Sequence, residues 1–187
     1  MRPITPTKLP ETPKNYWIQA KADGWCALVS SRGIYTRHLN DITDWRCFDS
    51  IRDRLGILED IVLHTELVNQ EGQGSHLVSK LKKDGKAYLL VHDAMIPNME
   101  IEERWSHALT KVDQLKRVSN DILIGMMPMV NCKRWDMVNM YIENFINSGF
   151  EGIVLKKMHS LYYPSKYWSR YSRKWLKLKN KVKIKED

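Results

Sequence analysis

The sequence has no apolar run long enough to span a bilayer, and its N-terminus has no apolar signal core. No membrane partner is expected, and the protein reads as cytoplasmic. Cysteine is scarce. Cys26, Cys47 and Cys132 lack metal-ligand spacing and cannot all pair internally, which fits reduced thiols in the cytosol. There is no internal repeat and no interdomain linker, so the 187 residues are expected to form one domain, with room for a real core. Acids nearly vanish at the C-terminal end. From Lys156 to Asp187 there are 11 Lys/Arg and two acids, a balance of +9 within an overall charge of +8. A basic stretch suits phosphate, from a nucleotide or a nucleic-acid backbone, and equally suits a solvated tail.

Residues 1–14 hold Pro3, Pro6, Pro10 and Pro13 and read as an extended arm. Residues 15–180 follow as the folded domain and 181–187 as a basic tail. Tyr16–Ala20 reads as a strand paired with Trp25–Ser30 across an Asp23-Gly24 turn, and a short strand covers Ile34–Thr36. Asp44 can cap a helix reaching about Leu55. Strands are expected at Ile61–Asn69, Ala87–His92, Ile122–Met129, Ile153–Lys156 and Trp175–Lys179. Helices are expected at Ser75–Lys82, Ile101–Val118 and Trp135–Asn147. Gly72 with Gly74, and Asp84-Gly85, mark turns. The fold class is α+β, rich in antiparallel strands.

Five segments carry chemistry. Lys21 stands two residues before Asp23-Gly24, just after an apolar run, and can serve as a nucleophile once burial or nearby cations expose its lone pair. Lys177 and Lys179 alternate with Leu176 and Leu178, so a strand there would turn its lysines to one face and its leucines to the other. That face is a phosphate clamp or a solvated surface. Glu66 is the only charged member of the otherwise apolar run Ile61–Val68 and calls for a ribose hydroxyl, a metal or a salt bridge. Glu151 precedes Gly152 and an apolar strand. His92 ends a strand, where its ring could stack on a purine or serve structure. Arg37 could reach phosphate or ribose, or simply be a surface residue.

In this order, the segments resemble the nucleotidyltransferase domain of ATP-dependent DNA ligases, in a superfamily shared with RNA ligases and mRNA capping enzymes. The resemblance runs from about Trp17 to Lys179 and implies an ATP-grasp-like, antiparallel-sheet-rich adenylation fold. By resemblance, Lys21 carries AMP, while Lys177 and Lys179 contact the α-phosphate. Gln19, Ala20, Arg37, Glu66, His92 and Lys156 bind the nucleotide, Glu66 through the ribose and His92 through the adenine ring. ATP is the implied donor. Mg²⁺, or Mn²⁺ in its place, is expected at Glu151, with Asp23 or Glu66 assisting. The implied partner is nicked double-stranded DNA, and the implied state a monomer.

Some positions depart from the family pattern. Cys26 stands where the lysine motif usually has arginine, His64-Thr65 replaces the usual Asp-Gly before Glu66, and the stacking ring is a histidine. The sequence ends eight residues after Lys179, so the OB-fold domain of about a hundred residues that usually follows is not expected. The alternatives are RNA ligation, RNA capping and a catalytically dead nick-binding module.

Overall fold

The computed structural model describes residues 2–69, 80–84, 86–118, 122–162, 171–179 and 181. The expected turns at Gly72, Gly74 and Gly85, most of the helix expected over 75–82, and the tail beyond Lys181 lie outside the described residues. The chain forms two compact units. One comprises Met1–Ala22, Pro128–Ser160 and Ser165–Asp187, and the other Asp23–Met127 with Leu161–Pro164.

The first unit is a five-stranded sheet backed by one long helix. Its strands are β1 (Arg2–Ile4), β2 (Tyr16–Lys21), β8 (Met129–Asn131), β9 (Gly152–Lys157) and β10 (Tyr171–Leu178), in spatial order β1-β10-β9-β2-β8. All pairings are antiparallel except β1 with β10. The start of the proline-rich arm therefore forms an edge strand, the one place where Pro3 costs no ladder hydrogen bond. Cross-strand partners share a face, so register sorts the side chains. Ile18, Ile153, Leu155, Leu176 and Leu178 pack with Val138 and Ile142 of α4 (Trp135–Asn147) into one apolar core. Burial of each such side chain contributes about 1.5–3 kcal/mol. The opposite face carries Trp17, Gln19 and Lys21 on β2, Val154 and Lys156 on β9, and Trp175 and Lys177 on β10. Helix α4 has the bounds that its apolar spacing predicts, and Gly149, at φ +85°, follows its end.

The second unit holds the sheet β4-β3-β5-β6-β7, made of β3 (Trp25–Ser30), β4 (Gly33–Thr36), β5 (Leu63–Asn69), β6 (Ala87–Ala94) and β7 (Ile122–Met126). Only β6 and β7 run parallel. Ala27, Val29, Leu63, Leu67, Leu89 and Val91 meet Ala108, Val112 and Leu115 of α3 (Ile101–Lys116) in a second core. β2 and β3 do not form the expected hairpin and belong to different sheets. Gly24 instead lets the chain pass tightly over β5, since a Cβ there would sit 2.3 Å from the Leu67 carbonyl oxygen. The helix expected after Asp44 is broken into a 3-10 turn at Arg46–Phe48, the short α1 (Asp49–Arg52) and a second 3-10 turn at Leu55–Leu58. Asp44 caps none of them: Trp45 precedes the first turn, and the Asp44 carboxylate stands 3.7 Å from Arg52 Nε. The short helix α2 (Leu81–Asp84) completes the described elements. The strand expected over Ile122–Met129 ends at Met126, and Met129 starts β8 in the other sheet after Pro128.

Candidate active site

In the first unit, the polar face of the sheet gathers the lysines. Lys21 ends β2 opposite Gly152, and the Glu151 amide donates to the Lys21 carbonyl at 2.7 Å. That backbone tie places the Glu151 side chain beside the Lys21 amine. Lys21 Nζ donates to Glu151 Oε2, and Lys179 Nζ donates to Glu151 Oε1. One carboxylate thus lies between two ammonium groups, and the pairs are only partly exposed to water. Gly152 is required for this closeness. Its φ is +142°, and a Cβ would sit 2.2 Å from the Leu178 carbonyl oxygen. Lys156 is 1% exposed and lies over Trp175, its amine 4.1 Å from the ring centroid, so the indole face partly compensates the buried cation. Lys177 faces the same way as Trp175, and Leu176 and Leu178 enter the core, as the alternation predicts. Gln19 is buried on this face. Ala20 lies on the core side with Ile18.

In the second unit, the face of the sheet turned away from the core carries a different set. Glu66 Oε1 accepts from the Gly24 amide at 3.1 Å, so the Asp-Gly turn and the mid-strand acid fix one another. Cys26 pairs directly across from Glu66. Its sulfur lies 3.3 Å from His64 Nε2, and the His64 and His92 ring centroids are 4.1 Å apart at 56°. A register shift between His64 and Thr65, with His64 opposite Asp93 and Thr65 opposite Val91, bends the ladder where the two rings meet. Next to His92 in β6, Asp93 forms a buried bidentate ion pair with Arg104, both bonds at 3.0 Å, and Arg104 also donates to the Met99 carbonyl at 2.6 Å. Burial is the main cause that pushes the neighbouring Tyr162 hydroxyl up to about 12; Asp93 adds to it and Arg104 opposes it. Arg37 is exposed in the turn after β4, and Asp23 is half-buried ahead of Gly24.

The donor set suits a hard cation only in part. Glu151 offers a carboxylate, but among the described residues no three His, Cys, Asp or Glu side chains cluster around it. A magnesium ion here would depend on nucleotide phosphate oxygens for the rest of its shell, its usual habit. The assembly of Cys26, His64 and His92 escapes the sequence, where its members are far apart. A hint was present in Cys26 and His64, which both stand at departures from the family pattern.

A family model described as ATP dependent DNA ligase domain matches residues 5–179. The chain belongs to the ATP-dependent DNA ligase family. Solved structures of this ligase fold agree. The adenylated DNA ligase of Chlorella virus aligns at TM-score 0.71 and 16% identity, over 96% of this chain and 67% of that one. The bacteriophage T7 ATP-dependent DNA ligase in complex with ATP gives 0.71 and 13%, over 95% and 67%. A Lig E DNA ligase, described as binding DNA with a minimal scaffold, gives 0.63 and 17%, over 96% and 69%. No curated protein matches the sequence at a significant level. The ligase is an ATP-using enzyme with DNA as its substrate, and its α+β architecture is that of the nucleotidyltransferase domain. No described helix is long and apolar enough to cross a membrane.

Proposed function

We propose that the ligase seals nicks in double-stranded DNA, as a monomer, through an AMP group carried on Lys21. The reading rests chiefly on one observation: the Lys21 amine is held on Glu151, with Lys179 on the other oxygen of the same carboxylate. Glu151 accepts the proton that the ammonium must lose. The neutral amine attacks the α-phosphorus of ATP, a nitrogen–phosphorus bond forms, and the bond to pyrophosphate breaks. Lys177 and Lys179 offset the negative charge growing on the phosphoryl oxygens. The AMP then passes to the 5′-phosphate of the nick. The 3′-hydroxyl attacks that phosphate, AMP leaves, and the strand is closed.

Nucleoside recognition is assigned to the second unit. Glu66 would accept from the ribose hydroxyls, with its other contact on Gly24 holding it in place. His92 would stack on adenine, its ring seated against His64. Arg37, Gln19, Lys156 and the Ala20 backbone would add contacts to the nucleotide. Mg²⁺ bound to the ATP phosphates, with Glu151 and Asp23 as protein ligands, would supply further charge neutralisation at the phosphoryl group. The experiment is incubation with ATP labelled in the adenylate and Mg²⁺. The protein should take up label that survives denaturation and is released by acid, as a nitrogen–phosphorus bond is, and the Lys21→Ala variant should take up none. Label retained by that variant would remove Lys21 from its role, and no label on the parent would favour a dead nick-binding module.

A further inference from the structure

The face of β3 and β5 that holds Glu66 also holds a thiol and an imidazole in contact. Cys26 stands opposite Glu66, and His64 lies two residues before Glu66 on the same strand, so Cys26 and His64 are diagonal neighbours on one face. Long side chains in that relation can meet. Here Cys26 Sγ comes within 3.3 Å of His64 Nε2, and the His92 ring packs against His64 with centroids 4.1 Å apart. A thiol within reach of an imidazole is the arrangement that makes a cysteine nucleophilic. The ring takes the thiol proton, and the resulting cation holds the thiolate. Adenylyl transfer from Lys21 has no use for this pair. The other two cysteines show the contrast. Cys47 and Cys132 are buried, and burial is the main cause that raises both thiols, Cys47 to about 12. Cys26 keeps part of its surface exposed.

We propose that Cys26 is a modification site: a reactive thiol, activated by His64, that takes up a small thiol as a mixed disulfide and so closes the nucleoside face reversibly. The oxidant is a low-molecular-weight disulfide. The Cys26 thiolate attacks one of its sulfurs, a new sulfur–sulfur bond forms to Cys26, and the old one breaks. The departing thiolate takes up the proton that His64 received. Cys26 is oxidised and the released half of the disulfide is reduced, and an excess of reducing thiol runs the exchange backwards. The adduct stands directly across the strand pair from Glu66, the residue assigned above to ribose, so the modified protein and ATP exclude one another. This exclusion rests on the proposed nucleoside recognition, whereas the reactivity of the thiol does not.

The test exposes the folded full chain to oxidised glutathione and maps the product by peptide-level mass spectrometry. A single glutathione on the Cys26 peptide, removed by dithiothreitol, is expected. No adduct, or an adduct on Cys47 or Cys132 in preference to Cys26, overturns the site. Activation by His64 is read separately, from the rate of alkylation by iodoacetamide. Cys26 should react faster in the folded chain than in the urea-unfolded chain. His64→Gln should slow the folded rate about tenfold, the change in thiolate fraction that one pK unit produces. A folded rate no faster than the unfolded one, or an unchanged rate in a folded His64→Gln, overturns the activation; the first comparison decides should the variant fail to fold. Oxidised glutathione should also suppress AMP labelling, dithiothreitol should restore it, and Cys26→Ser should label equally with and without the disulfide. Labelling that a mapped Cys26 adduct leaves unchanged overturns the exclusion. Failure of the reduced protein to label counts against the ligase chemistry, whatever the thiol does.

Discussion

The polar faces of the two sheets meet their tasks differently. The first carries Lys21, Glu151, Lys156, Lys177 and Lys179, every one matching the family pattern, locked by backbone register and by a glycine that admits no side chain. The second carries Glu66 in its usual place, with Cys26 directly across from it and the His64 and His92 rings in contact, all three departures. The contrast follows from the chemistry assigned to each. Displacement at phosphorus needs an amine, a proton acceptor and cations within about a bond length of fixed positions, and each misplacement is costly. Holding a nucleoside needs flat surface and a few hydrogen bonds, which several residue types supply.

That contrast can be broken in graded steps. Lys21→Ala should abolish AMP attachment outright, measured by label uptake. Glu151→Gln removes the proton acceptor and leaves two ammonium groups without their shared anion, so the rate of adenylation should fall by about 10²–10⁴-fold. Truncating a member of the buried Asp93–Arg104 ion pair acts on folding instead. Arg104→Ala leaves Asp93 charged and unpaired in the interior, and should lower unfolding stability by about 3–5 kcal/mol in denaturant titration. Glu66→Gln keeps the shape but loses the charge that accepts from Gly24 and, by proposal, from ribose. The KM for ATP should rise about tenfold with a smaller change in kcat. Cys26→Arg restores the family residue and should lower the KM for ATP by several-fold. A KM for Cys26→Arg equal to the parent's would mean that the second face is complete without an arginine there.

Most of the first face was legible because it is local. Alternation of lysine and leucine over 176–179 states which way each side chain points, and the segment around Gly152 states where a carboxylate sits at a strand entrance. The second face was not, because its contacts cross strands far apart in sequence and depend on a one-residue register shift between His64 and Thr65 that no periodicity encodes. The hairpin expected at Asp23-Gly24 failed for a related reason. Turn chemistry marks a reversal of the chain, but only long-range pairing decides which strand each arm joins, and β2 and β3 found different sheets. Four prolines and little periodicity over 1–14 point to an extended arm, and its start still pairs as a strand because at a sheet edge the missing N–H of Pro3 is harmless.

The most direct test is peptide-level mass spectrometry of the protein after reaction with ATP and Mg²⁺. A single adenylyl group on the peptide containing Lys21, absent when pyrophosphate is added to reverse the reaction, is the result expected. An adenylyl group on Lys177, Lys179 or any other residue, with Lys21 unmodified, would contradict it.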